Sequence, residues 1–134
     1  MTVIASGTFI VQLVPQPPDN HADGAILGRM SIDKQFSGDL VGTSVGQMLS
    51  AMTAVKGSAG YVAIEQVTGT LGGRSGTFVL QHSATMTRGE PALSITVVPD
   101  SATGDLAGLV GMMTIDRSGG SHKYVFTYAI DSPA

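Results

Sequence analysis

The strongest constraint on this chain is an alternation of apolar and polar side chains that recurs in short segments, each closed by a turn rich in glycine or proline. In Met30-Ser31-Ile32-Asp33-Lys34-Gln35-Phe36 the odd members form one face and the even members the other. The same period runs through Tyr61–Leu71, Thr77–Thr87 and His122–Ile130. A period of two belongs to strands, because successive side chains leave opposite faces of the backbone. Segments 3–14, 26–37, 40–53, 61–71, 77–87, 93–98, 111–117 and 122–130 therefore read as strands. Segment 40–53 has helical spacing at Met48, Leu49 and Met52, but Gly42, Gly46 and the run Thr43-Ser44-Val45 make a poor helix. SGD at 37–39, GGRSG at 72–76, RGEP at 88–91 and SGGS at 118–121 read as turns, and PQPPDNHADG at 15–24 as an exposed connection. The stretch LAGLVG at 106–111 reads as an irregular or short helical turn.

About eight strands joined by short hairpins suggest an up-and-down meander. Such a meander closes into an antiparallel barrel whose interior either holds a small ligand or is filled by side chains. A sandwich is the alternative. Glycines within strands (Gly28, Gly42, Gly46, Gly69) fit the curvature of a barrel. The chain of 134 residues is expected to be one all-β domain, residues 1–134. Only 13% of its residues are charged, so part of its surface is expected to be Ser/Thr-rich or covered by another subunit.

Composition removes several kinds of chemistry. With no cysteine there are no disulfides, thiolate metal sites or cysteine nucleophiles. A net charge of −3 without a Lys/Arg run disfavours nucleic acid. No apolar run approaches a membrane span, and the first residues carry no basic leader, so a cytoplasmic location is the expectation. His21, Asp23 and His122 do not have metal-ligand spacing. Neither GGRSG nor SGGS opens a helix with a lysine, so neither is a phosphate loop. No cofactor signature is present, and none is expected.

What is left is a candidate cavity. Glu65 shares a face with Tyr61, Ala63 and Val67. If that face points inward, desolvation would raise the carboxyl pKa towards neutrality and make it a general acid or base. If instead Val62 and Ile64 define the core, Glu65 is a surface residue; both readings are open. His82 lies on the apolar face of its strand with Phe78, Leu80, Ala84 and Met86, either as a proton carrier or as a satisfied core histidine. Centring the hairpin near Arg74 places Glu65 opposite residues 82–83, with Ser83 or Gln81 substituting if the register slips. Lys34 is expected as an exposed lysine. If inward, it would pair with Glu65 or hold an anionic group of a ligand. Tyr61, Tyr124 and Tyr128 are candidate hydrogen-bond donors to a ligand, with wall packing as the plainer reading. Phe36 and Met48, with the other methionines, are candidate apolar lining.

The blocks GRMSIDKQFSGDL (28–40), GQMLSA (46–51), KGSAGYVAIEQVTGTLGGRSGTFVLQHS (56–83) and VVPDSATGDLAGLVGMMTID (97–116) resemble a bacterial family of small proteins described as a domain of unknown function. That family is placed with the allene-oxide-cyclase-like barrels, and TGDLAGLVG also looks like the glycine-rich segment of dirigent proteins. The resemblance implies an eight-stranded antiparallel barrel with a cavity, and a homo-oligomer. Relatives on that barrel guide cyclisations and couplings of apolar substrates by shaping a pocket and supplying one acid or polar group. By that analogy the chain is expected to take a small apolar or mixed-polarity ligand, as a cofactor-free cyclase or isomerase or as a non-catalytic carrier. Glu65, His82, Gln81 and Tyr61 fall in the central block. A filled barrel acting through its outer surface is the third reading.

Overall fold

A computed structural model describes residues 1–18 and 23–131. The strands are β1 (Val3–Gln16), β2 (Ala25–Gly38), β3 (Leu40–Thr53), β4 (Ala59–Leu71), β5 (Arg74–Thr87), β6 (Glu90–Val97), β7 (Leu109–Asp116) and β8 (His122–Ile130). Each pairs antiparallel with the next and β8 pairs back onto β1, giving a closed barrel in chain order. The sandwich alternative is thereby removed. The region 40–53 is a strand throughout, as expected. Residues 104–106 form a single 3-10 turn, and Leu109 and Val110, read from sequence as part of an irregular turn, already belong to β7. Among the described residues, no helix is long and apolar enough to cross a membrane. The Pro-rich connection lies partly outside the described residues, and so does His21. β1 runs through Pro15, beyond its expected end, at a point where β8 no longer lies beside it.

The alternation sorts side chains as the sequence implies. Val62 and Ile64 stand 51% and 50% exposed, whereas Ala63, Glu65 and Val67 are buried, so the Glu65 face is the inner one. The interior divides along the barrel axis. At one end lie the β2–β3 and β4–β5 turns and the connection carrying the 3-10 turn, whose Leu106 is fully buried and plugs the barrel. Phe78, Phe126 and Tyr128 stack there in sequence, with ring centroids 5.9 and 5.3 Å apart. Phe36 packs edge-on against Tyr124 at 5.7 Å. This end is a filled core.

Tyr124 locks that end. Its hydroxyl accepts the backbone N–H of Leu40 at 2.9 Å and donates to the carbonyl of Ser37 at 2.9 Å. Both partners flank the β2–β3 turn, so the phenol ties β8 to a hairpin far away in sequence. Tyr124→Phe leaves a buried N–H without an acceptor. Unfolding in urea is expected to show a loss of about 1–3 kcal/mol with an unchanged m-value. An unchanged midpoint would mean that the bond contributes nothing net.

Candidate functional site

Three inward rows converge in mid-barrel. Lys34 on β2, Glu65 on β4 and His82 on β5 are all buried, and Glu65 is 0% exposed. Glu65 Oε2 accepts from Lys34 Nζ at 2.8 Å and lies 2.6 Å from His82 Nε2, which must carry a proton to bond a carboxylate. Glu65 Oε1 accepts from Ser44 Oγ at 2.8 Å. Lys34 Nζ also sits 4.8 Å from the centroid of the Phe9 ring, a cation–π contact. Small residues make room for the carboxylate: a Cβ at Gly46, its partner on β3, would fall 2.7 Å from the Glu65 Cα.

The electrostatics reverse the expectation for Glu65. Burial does push its carboxyl up, but the hydrogen bond from His82 and the charge of Lys34 outweigh it, holding the pKa at about 2. The group is an ionised anchor with both oxygens engaged. Desolvation alone would push the carboxyl the other way, upward from its ordinary value. Sequence alternation does not reveal that a cation from another strand arrives at bonding distance. Lys34 faces inward with its alternation partners Ile32 and Phe36, which corrects the reading of an exposed lysine.

The pairing of β4 with β5 also differs from expectation. Glu65 stands opposite Leu80, and His82 stands opposite Ala63. The turn is the two residues Gly72 and Gly73, with φ of +57° and +80°, and not the longer GGRSG. Two consecutive positive φ values make the tight hairpin turn that suits the strand twist, and glycine adopts them without strain. Glu65 and His82 are therefore diagonal neighbours on one face, still within reach of each other.

Above this cluster the barrel opens. A pocket of about 710 Å³ occupies the end opposite the aromatic core, within the range of small-molecule sites. Met30, Met48, Met52, Met86, Leu93 and Ile115 supply its apolar wall, with Tyr61 and Arg117 among its polar groups. It continues to the edge between β6 and β7, which meet in register at Ile95↔Met113 and Thr96↔Met112 while Pro91, Ala92 and Leu93 line the pocket. Pro91, which has no N–H to offer a ladder, suits that edge.

The candidate residues thus divide. Tyr61 and Met48 line the pocket. Glu65 and His82 lie beneath it: His82 is two residues along β5 from the pocket-lining Ala84, and Glu65 is two further positions down the barrel, opposite Leu80. Phe36, Tyr124 and Tyr128 belong to the filled core and do not line the pocket. Gln81 points outward, because its neighbour His82 points in. His122 stacks on Phe9 at 5.0 Å. Sequence reasoning missed Ser44 and Arg117. The small inward row Gly42-Ser44-Gly46 was a signal for the first. The second follows a strand that ends at the same rim as Tyr61.

Fold and interior together define a small antiparallel β-barrel protein with one filled end, a charged cluster at mid-height and an apolar pocket at the other end. The chain belongs to the family described as "Protein of unknown function (DUF3224)", which matches residues 5–128. It is similar to a crystal structure of a protein of unknown function from that family, from Shewanella oneidensis MR-1. The two are 49% identical over 99% of this chain and 100% of that chain, with a TM-score of 0.95. No curated protein matches the chain. The family expected from the blocks at 28–40, 46–51, 56–83 and 97–116 is the family found.

Proposed function

We propose that this chain is a binding protein for a small apolar molecule, held in the methionine-lined end of the barrel. The carrying observation is the division of the interior: an open apolar pocket of about 710 Å³ above a charged cluster that is already neutralised and hydrogen-bonded. Methionine side chains are flexible and polarisable, so they adapt to ligands of differing shape. A cyclase or isomerase working through Glu65 needs that carboxylate to touch its substrate and to exchange a proton near neutrality. Its full burial and its pKa of about 2 favour binding over such chemistry.

The test is titration with the neutral fluorophore N-phenyl-1-naphthylamine. Wild type is expected to enhance its emission with saturation at one probe per chain. Ala84→Trp places an indole in the pocket and is expected to weaken binding at least tenfold while leaving the circular dichroism spectrum unchanged, since filling a pocket removes the site and not the core. A wild type that does not bind the probe, or an Ala84→Trp variant that binds it equally well, would contradict the reading.

A further inference from the structure

The polar groups of the pocket are unevenly satisfied. Asp116 Oδ1 accepts the backbone N–H of Ser118 at 2.8 Å, and the residue stands opposite Lys123 in the β7–β8 register. Beneath the floor, Lys34 and Glu65 cancel each other. Arg117 is the sole cation on the pocket wall among the described residues, and its guanidinium forms no hydrogen bond or ion pair with any of them. The Tyr61 hydroxyl is likewise without a hydrogen-bond partner among the described residues. We propose that the ligand is an apolar molecule carrying one carboxylate, its body against the methionines and its carboxylate at the mouth on the Arg117 guanidinium and the Tyr61 hydroxyl.

This inference rests on the apolar-ligand reading and narrows it to a chemical class. A guanidinium presents paired N–H donors in the plane that a carboxylate matches. Burial pushes the Tyr61 phenol up, the charge of Arg117 pulls it down, and the charge of Glu65 pushes it up. The net shift is upward, so the hydroxyl keeps its proton and donates. Arg117 is exposed, so its contribution is that of a screened pair at a rim.

Displacement of N-phenyl-1-naphthylamine by dodecanoate and by dodecan-1-ol separates the head from the body. At low salt, wild type is expected to prefer the carboxylate about fivefold. Arg117→Gln is expected to bring that ratio close to one, and Arg117→Lys to retain part of it. Raising the salt concentration lowers the wild-type ratio. Equal affinities in wild type, or a preference that survives Arg117→Gln, overturn this inference and leave the apolar-ligand reading standing. Failure of the probe and both displacers to bind overturns both.

Discussion

Glu65→Leu is expected to lower the unfolding free energy by about 3–5 kcal/mol. The carboxylate is the counter-charge of a lysine that is itself buried. Leucine is of similar size, so it leaves little void. What it leaves is an ammonium in the interior with no anion to balance it. For a chain whose whole stability is on the order of 5–15 kcal/mol, such a loss is a large fraction. The double variant Lys34→Met/Glu65→Leu removes both charges together and is expected to recover part of the stability, because an apolar pair of similar volume replaces a desolvated ion pair while Ser44 Oγ and His82 Nε2 lose their acceptor. Chemical denaturation of the two variants reads this directly. A Glu65→Leu protein as stable as wild type would mean that Glu65 is not the counter-charge of Lys34.

The second large effect is an acid-labile interior. The folded-state pKa of Glu65, about 2, lies below its ordinary value of 4.5. A depressed carboxylate stabilises the fold fully above the unfolded value and loses that contribution as pH falls towards the folded one. Stability is therefore expected to hold above pH 4.5 and to decline between there and pH 2, by roughly 3 kcal/mol from this group. The Lys34→Met/Glu65→Leu variant lacks the group, so its profile over that window is expected to be flatter by the same amount. Denaturant midpoints collected from pH 5 down to pH 2.5 for both proteins test it. Parallel profiles would place the acid sensitivity elsewhere.

Much of this interior was legible in the sequence, and particular residues show where legibility stops. Alternation put Lys34 with Met30, Ile32 and Phe36, Glu65 with Ala63 and Val67, and His82 with Phe78 and Leu80, and all three faces are inner faces. What alternation lacks is the axial position of one strand against another. Glu65 and Lys34 lie 31 residues apart, and they meet through the pairing of β2 with β3 and of β3 with β4. The β4–β5 register could be read only from the turn, and GGRSG offers more than one centre. Two adjacent glycines with positive φ selected the tighter one. Tyr124 stands among the candidate ligand donors in the sequence, beside the plainer reading of wall packing, because nothing local shows that its hydroxyl reaches Leu40, 84 residues away. Which end of the barrel fills and which stays open was not written in any one strand. It follows from Leu106 and the aromatic side chains gathering at one end and the methionines at the other.

The methionines also supply the most direct test of the binding pocket. Four of the seven, Met30, Met48, Met52 and Met86, line it, whereas Met1 and Met112 are exposed outside it and Met113 is buried in the filled core. In a protein labelled with ¹³C at the methionine methyl groups, saturating N-phenyl-1-naphthylamine is expected to shift the signals of Met30, Met48, Met52 and Met86. Those of Met1 and Met112 are expected to stay in place. Shifts confined to Met1 or Met112, or no shift at all, would contradict the account.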